Sequence, residues 1–277
     1  MAQTSAALEI DVAPADEVAD AARQLEGKQP LDVLRWAAER FAPRLVFATA
    51  FGAEGCVLID LIGRHRLPID VVTLDTGLLF PETLELWWQL EERYGIGIRG
   101  VRPAQTVDEQ AAAHGERLWA HDPDRCCELR KVRPLRAALA GREAWIASIR
   151  RDQTAARAGA AVVERDPTFG LVKVSPLVAW SSAEVWAYLR QHDVPTNPLH
   201  QLGYPSVGCW PCTSPVAAGE DPRAGRWRGA TKTECGLHLR PTARASRLPI
   251  LQPGLSNSLP PEGANAASTS VLGGNTP

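Results

Sequence analysis

The sequence predicts an α/β fold with a mostly parallel sheet flanked by helices on both faces. Short, continuously apolar segments, such as residues 44–49 and 69–74, alternate with segments that have the apolar period of helices. Because these strands lack polar alternation, both of their faces are expected to be buried, as in parallel sheets covered by helices. Ligands of such sheets bind beyond the carboxyl ends of the strands, where the strand order reverses.

The elements follow this alternation along the chain. The predicted strands are residues 44–49, 69–74, 96–101, 144–149 and 171–174, and the predicted helices are residues 15–26, 31–41, 56–62, 107–114, 127–139, 181–191 and one that begins near Pro81. In that last helix, Leu84, Trp87 and Trp88 are expected to pack inward. We expect a single domain at residues 16–240, irregular from 213 onward, between flexible tails at 1–15 and 241–277.

Composition excludes several classes of protein. The 277 residues carry a formal net charge of -2, so no global basic excess indicates a nucleic-acid partner. The chain has neither a signal-peptide pattern nor a run of the roughly 18 to 20 apolar residues that a membrane span needs. Six cysteines without an export signal indicate a reducing compartment, and the cytoplasm is the expected location. The sequence leaves a homo-oligomer open.

Four cysteines are grouped like the ligands of a metal or cluster. Cys209 and Cys212 form a C-x-x-C turn, and Cys126 and Cys127 are adjacent. An all-cysteine set suits zinc or an iron-sulfur cluster, and the adjacent pair favours the cluster because zinc sites usually use two spaced C-x-x-C turns. The alternative is two buried structural cysteines beside an unrelated C-x-x-C. A thioredoxin-type redox pair is disfavoured because the motif does not open a helix after a strand.

The surroundings of the adjacent pair favour bound thiolates. Residues 123–125 provide a helix start, from which both cysteines can reach one centre, and Arg130 and Lys131 would stabilise thiolate charge. Cys56 lies in an apolar helical segment and is most simply a packing residue.

A fifth cysteine has the sequence surroundings of a nucleophile. Cys235 precedes His238 by three residues, and Gly236 leaves the thiol sterically open. An imidazolium at His238 would activate Cys235 as a thiolate. The alternative is that both are packing residues, as most isolated cysteines and histidines are.

Two features predict an anionic ligand. Small residues from Thr49 to Gly55 follow the first predicted strand and precede a helix, where backbone N–H groups form an anion cradle. This loop lacks the G-x-G-x-x-G pattern and the Walker lysine, so neither a dinucleotide site nor a P-loop is indicated, and an ordinary β–α turn is the alternative. Arginine forks for phosphate or sulfate oxygens are offered by Arg150, Arg151, Arg157, Arg223 and Arg226.

Together these residues resemble the phosphoadenylyl/adenylyl-sulfate reductase family over residues 30–240. The motifs occur in the family's order at Thr49–Asp60, Leu74–Gly77, Phe80–Thr83, Cys126–Cys127 with Arg130–Lys131, Arg150–Gln153, Asn197 with Leu199–His200, Gly208–Cys212, Arg223–Trp227 and Glu234–His238. The four-cysteine set resembles the branch that uses adenosine 5'-phosphosulfate and carries a [4Fe-4S] cluster. The branch that prefers the 3'-phosphorylated substrate typically lacks these cysteines. The implied fold is the Rossmann-like adenine-nucleotide alpha-hydrolase type.

The resemblance implies a reaction in assimilatory sulfate reduction. Cys235 would attack the sulfur of adenosine 5'-phosphosulfate, releasing AMP and leaving an S-sulfocysteine, which thioredoxin or a glutaredoxin-like protein then reduces with release of sulfite. Lys131 and His238 would assist catalysis. The implied cluster ligands are Cys126, Cys127, Cys209 and Cys212, and the implied substrate-binding residues are Thr49, Gly52, Leu74, Asp75, Arg150, Arg151, Arg157, Arg223 and Arg226.

Three rival functions stay open at this point. The first is a reductase for 3'-phosphoadenosine 5'-phosphosulfate, and the second is a non-catalytic iron-sulfur or zinc protein. The third, an ATP-dependent adenylating enzyme, would need a Ser-Gly-Gly-x-Asp-Ser type of loop that the chain does not have. Two departures from the family pattern bear on the site. Ala50 and Phe51 stand where relatives have a serine-rich loop, and Ser148 stands where relatives commonly have glycine.

Overall fold

Six strands form one sheet in the computed structural model, which describes residues 13–238. The strands are β1 (Leu45–Thr49), β2 (Asp70–Leu74), β3 (Ile98–Val101), β4 (Ala144–Ile146), β5 (Val163–Arg165) and β6 (Val172–Val174). Their order is β3-β2-β1-β4-β6-β5, and neighbouring strands are parallel except for β5 with β6. The mostly parallel sheet predicted from the apolar segments is therefore confirmed.

Helices occupy the connections between the strands, as the sequence predicts. They are α1 (Ala15–Leu25), α2 (Pro30–Phe41), α3 (Ala53–Arg64), α4 (Pro81–Tyr94), α5 (Val107–His114), α6 (Leu118–His121), α7 (Pro123–Cys127), α8 (Arg133–Leu139) and α9 (Ser182–Gln191). A π-helical turn (Glu128–Val132) joins α7 to α8, and short 3-10 turns lie at Arg151–Gln153, Ala155–Arg157, Pro198–Leu202 and Trp210–Cys212. Capping boxes begin α5 and α9, where Thr106 and Ser181 accept hydrogen bonds from the third helical residue.

Helices bury both faces of the central strands. Successive side chains of a strand point to opposite faces, and Leu45, Val46 and Phe47 of β1 are all buried, as is every residue of β4. Both faces of the sheet are therefore covered at its centre. The strand order reverses between β1 and β4, because the chain proceeds from β1 to β2 and β3 on one side and from β4 to β6 on the other. This reversal places the expected ligand crevice at the carboxyl ends of β1 and β4.

Several sequence-based predictions are corrected by the structure. Trp88, expected to pack inward, has 69% of its surface exposed, whereas Trp87 on the same helix stacks on Phe51 with the ring centroids 5.8 Å apart. The predicted helix 127–139 is α7, the π-helical turn and α8 in succession, and the antiparallel strand β5 was not predicted. Ala13 is buried, so the packed part of the chain begins before residue 16.

The predicted tails and the absence of a membrane span are considered for the part of the chain that the structure describes. Flexible tails are predicted at 1–15 and 241–277, and of these residues 1–12 and 241–277 lie outside the described part of the chain. Within residues 13–238, none of the helices combines the length and the apolar composition that a bilayer span requires.

Candidate active site

A cavity of about 610 Å³ lies at the carboxyl ends of β1, β2 and β4. This volume falls within the roughly 300–1,000 Å³ typical of small-molecule sites. Of the predicted site residues, those that line it are Thr49, Gly52, Leu74, Lys131, Arg150, Arg157, Cys209, Arg223, Arg226, Cys235 and His238. The structure thus brings together, at the predicted end of the sheet, residues that are almost 190 positions apart in the chain.

The loop after β1 presents a helix N-terminus to the cavity. Thr49 is buried, and its Oγ1 accepts a hydrogen bond from the Phe51 N–H at 3.1 Å. Gly52 is the N-cap of α3. A Cβ atom at Gly55 would lie only 2.6 Å from Thr49 Oγ1, so glycine is needed for α3 to approach the strand this closely. Packing therefore requires the small residue at Gly55, whether or not a ligand binds.

Arg150 and Arg157 line the cavity wall and form ion pairs, Arg150 with the half-buried Glu54 and Arg157 with the buried Glu234. Arg150 Nε donates to Glu54 Oε1 at 2.8 Å, and Arg157 donates from Nε and Nη2 to the two oxygens of Glu234 at 2.9 and 2.8 Å. Gln153 lies between the two arginines and donates to Glu54 Oε1 at 3.0 Å. Both guanidinium groups are thus fixed by protein partners.

The structure does not bring Arg151 or Asp75 to the cavity, contrary to the sequence-based prediction. Arg151 donates to both carboxylate oxygens of Glu26 on α1 at 2.7 and 2.9 Å. Asp75 accepts a hydrogen bond from Arg102 Nε at 2.8 Å. For Arg151 the reason is geometric: Arg150 is in an extended conformation, so the side chain of the next residue points to the opposite side.

Arg223 and Arg226 are held side by side by a serine that sequence reasoning missed. Ser206 Oγ accepts from Arg223 Nη1 at 3.4 Å and from Arg226 Nη1 at 3.1 Å. Gly208 makes room for the second guanidinium, because a Cβ there would lie 2.2 Å from Arg226 Nη2. Among the described residues, the buried Nε atoms of Arg223 and Arg226 have no hydrogen-bond partner.

The four grouped cysteines lie together beside this cavity. Burial is the main cause that raises the pKa values of Cys126, Cys127 and Cys212 to about 11, and repulsion from neighbouring thiolates adds to it. Cys209 Sγ lies 3.3 Å from Thr76 Oγ1, and Gln110 Nε2 donates to Cys126 Sγ at 3.9 Å. Asp122 caps α7 through the Arg125 N–H, so the predicted helix start before the adjacent pair is confirmed.

The donor chemistry of these cysteines fits an iron-sulfur cluster better than a single ion. Within residues 13–238, no three Cys, His, Asp or Glu side chains converge closely enough to hold one metal ion. A [4Fe-4S] cluster makes a different demand, because each thiolate binds its own iron atom and the four sulfurs need not meet at one point. The set contains only thiols, and a bound cationic centre would relieve their mutual repulsion.

Lys131 lies where the cysteine group meets Cys235. It belongs to the π-helical turn and is partly buried. Burial lowers its pKa, but the negative charges of Cys209, Cys235 and Cys127 together outweigh burial, and the pKa is raised above its usual value. Lys131 thus lies near both sets of thiols, and its positive charge is favoured where their sulfurs are ionised.

The surroundings of His238 oppose the imidazolium that the sequence predicted. Its ring stacks on Trp145 with the centroids 5.7 Å apart and the planes 5° from parallel. Burial, followed by the positive charges of Arg157, Lys173 and Arg223, lowers the pKa of His238 well below its usual value. The ring is neutral at physiological pH, so any cation that stabilises a Cys235 thiolate is a lysine or an arginine.

Comparisons with known proteins agree with this geometry. Residues 44–215 match the model of the phosphoadenosine phosphosulfate reductase domain. The chain is 48% identical to adenosine 5'-phosphosulfate reductase of Bacillus velezensis and 49% identical to adenosine 5'-phosphosulfate reductase 1 of Bacillus subtilis. Each alignment covers 76% of this chain and 91% of the relative.

A solved structure shares the fold. The phosphoadenylyl-sulfate (PAPS) reductase from Candida auris, crystallised as a phosphate complex, is 32% identical with a TM-score of 0.65, covering 74% of this chain and 98% of that one. The Rossmann-like fold class predicted from the sequence is thereby confirmed. On the family match and on relatives covered almost to their full length, the chain belongs to the phosphoadenosine phosphosulfate reductase family of enzymes.

Proposed function

We propose that this enzyme reduces adenosine 5'-phosphosulfate to sulfite and AMP, with electrons from a thioredoxin or a glutaredoxin-like dithiol in the cytoplasm. One observation carries the proposal: Cys235 lines the nucleotide-sized cavity together with Lys131, Arg223 and Arg226. Relatives at 48–49% identity that are named adenosine 5'-phosphosulfate reductase support the choice of substrate.

The first half-reaction is a thiolate attack on sulfur. The Cys235 sulfur forms a bond to the sulfuryl sulfur of the substrate, the bond from that sulfur to the bridging phosphate oxygen breaks, and AMP leaves with the electron pair. Attack by an anion on an anion needs fixed cations to offset repulsion. Lys131, Arg223 and Arg226 line the cavity and would supply these cations. Thr49, Gly52, Leu74, Arg150 and Arg157 would surround the nucleotide.

The second half-reaction restores the enzyme. One thiol of the external dithiol attacks the Cys235 sulfur, sulfite leaves, and the second thiol resolves the mixed disulfide to regenerate the Cys235 thiol. The dithiol is oxidised by two electrons, and the sulfur of the substrate is reduced by two. All six cysteines of this chain are free, so no internal disulfide competes for the electrons.

We further propose that Cys126, Cys127, Cys209 and Cys212 hold a [4Fe-4S] cluster. When bound, the cluster would supply a fixed charge beside Lys131, which tunes the field at the substrate. Anaerobically purified protein should contain about four iron and four sulfide per chain and absorb visible light. A colourless protein with stoichiometric zinc would contradict this assignment.

Sulfite release tests the proposed function. Wild-type protein with thioredoxin should release sulfite from adenosine 5'-phosphosulfate, and Cys235→Ser should release none, because its hydroxyl is a far weaker nucleophile. Cys56→Ala is the matched control, since Cys56 is buried on α3 outside the cavity and should be dispensable. Full sulfite production by Cys235→Ser would refute the mechanism.

A second candidate is reduction of the 3'-phosphorylated substrate. The observation that favours it is the likeness to the Candida auris PAPS reductase. The same assay with both nucleotides decides between the two, because a higher kcat/KM for the 3'-phosphorylated nucleotide would replace our substrate assignment.

A further inference from the structure

We propose that Glu234 is a positioning residue, which holds the Cys235 thiol at the cavity wall and orients Arg157 and Arg223. The inference rests on the proposed function for its kinetic consequences. The side chain of Glu234 is 1% exposed and directly precedes Cys235 in the chain. A buried carboxylate is costly unless it is paired and hydrogen-bonded. Glu234 therefore keeps its place only while its partners hold it there.

Those partners tie the chain around Cys235 to the sheet. Glu234 accepts from Arg157 Nε at 2.9 Å and Arg157 Nη2 at 2.8 Å, and from Thr154 Oγ1 at 3.2 Å. Both donors belong to the loop that follows β4. Residues 231–238 contain no helix or strand, so backbone ladders do not fix Cys235. The paired hydrogen bonds between Glu234 and Arg157 hold the segment instead. Their fork geometry fixes the direction of the contact as well as its distance.

The anchor continues to the nucleotide side of the cavity. Arg157 Nη1 donates to Gln153 Oε1, and Gln153 Nε2 donates to Glu54 Oε1 at 3.0 Å in the first turn of α3. Hydrogen bonds thus run without a break from the N-terminus of α3 to the residue beside Cys235. These hydrogen bonds therefore fix the Cys235 segment relative to the cavity wall that is expected to bind the nucleotide.

Glu234 also sets the charge of the cavity. Arg223 Nη2 lies 3.4 Å from Glu234 Oε2, so one carboxylate serves two guanidinium groups. Neutralising this carboxylate would leave both cations unbalanced next to an anionic substrate. Substrate would then bind at least as tightly, while the thiol loses its anchor. We therefore expect kcat to fall while KM stays the same or falls.

The test compares Glu234→Gln with Glu220→Gln. Glu220 is an exposed residue of the same part of the chain that pairs with Arg228, so its substitution removes an equal charge from a surface pair. We expect Glu234→Gln to lower kcat by about 100-fold without raising KM, because a misplaced thiol reacts poorly. Glu220→Gln should stay within about twofold of wild type.

A second readout needs no substrate. Iodoacetamide labelling of Cys235, followed by peptide mass spectrometry on the holoprotein, should be several-fold faster in Glu234→Gln than in wild type or Glu220→Gln, because the released segment exposes its thiol. If wild type released no sulfite from adenosine 5'-phosphosulfate, the proposed function would fail, while the labelling ratio would still decide the role of Glu234.

Two outcomes would overturn the inference. One is a labelling rate and kcat of Glu234→Gln equal to those of Glu220→Gln. The other outcome concerns Glu234→Asp, which serves if Glu234→Gln does not fold. Aspartate keeps the charge but is one methylene too short for the paired hydrogen bonds. A wild-type kcat and labelling rate in that variant would refute a positioning role.

Discussion

The sheet region (residues 13–202) and the C-terminal segment (residues 203–238) are stabilised in different ways. In the sheet region, apolar side chains are buried on both faces of parallel strands. In the described C-terminal segment, the buried apolar residues are Cys209 and Trp227, and contacts of arginine, serine and glutamate side chains do most of the holding. A hydrophobic core tolerates little loss of side-chain volume. A region held by hydrogen bonds tolerates little change in the positions of its donors and acceptors. Substitutions in the first should therefore cost stability, and substitutions in the second should cost activity.

Phe47→Ala tests the sheet half of this comparison and has the largest expected effect. Phe47 is fully buried in β1, so its loss leaves a cavity between the helical layers. We expect the free energy of unfolding to fall by about 3–5 kcal/mol in urea titrations. Leu202→Ala is the control, since Leu202 is 66% exposed and its loss should cost at most about 0.5 kcal/mol. Equal losses in the two variants would contradict the comparison.

Lys131→Met tests the point where the two regions meet. Methionine keeps most of the length of the side chain but removes the cation that interacts with Cys235 and the grouped cysteines. We expect kcat/KM to fall by about 100-fold, or about 2.7 kcal/mol of transition-state stabilisation, with little change in melting temperature. Iron content shows whether the cluster survives the change. The exposed Lys28→Met is the control, and a Lys131 variant as active as that control would exclude an electrostatic role.

Gly208→Ala tests the hydrogen-bonded C-terminal segment by adding one methyl group. The new Cβ would overlap Arg226 Nη2, so the guanidinium must leave its contacts with Ser206 Oγ and Val207 O. Because the obstacle is the end of a flexible side chain, stability should hardly change, whereas KM should rise by about tenfold, the worth of one charged hydrogen bond. Gly97→Ala, where nothing lies within 4 Å, is the matched control. A stability loss without a change in KM would reverse the expectation.

The same contrast explains what the sequence could predict. Strand β1 was found because five consecutive residues suit a buried strand, whereas β5 has three residues, two of them charged, and pairs only through its contact with β6. In the site, residue type identified the four grouped cysteines, Cys235 and Lys131, because few chemistries use that set. The sequence does not show where a side chain points. Arg150 and Arg151 are adjacent and of the same type, yet only Arg150 lines the cavity. Glu234 lies inside a recognised motif, but its ion pair with Arg157 joins residues 77 positions apart.

His238→Phe has the smallest expected effect and tests the contact of His238 with Trp145, which joins the two regions. The folded state lowers the pKa of His238, so the unfolded chain takes up a proton near the usual pKa of about 6.5 while the folded protein does not. This difference favours unfolding as the pH falls, and it contributes nothing above pH 7. Phenylalanine can stack on Trp145 in the same way but does not titrate.

Between pH 7.5 and 5.5 the wild type should therefore lose about 1 kcal/mol more stability than His238→Phe. Urea unfolding of both proteins at the two pH values measures the difference, and subtraction cancels the carboxylates that they share. The exposed His65→Gln should lose as much as the wild type, because that variant keeps His238 in its buried place. If His238→Phe also lost as much, His238 would have to take up its proton in the folded protein, and it would regain the cationic role that the structure denies it.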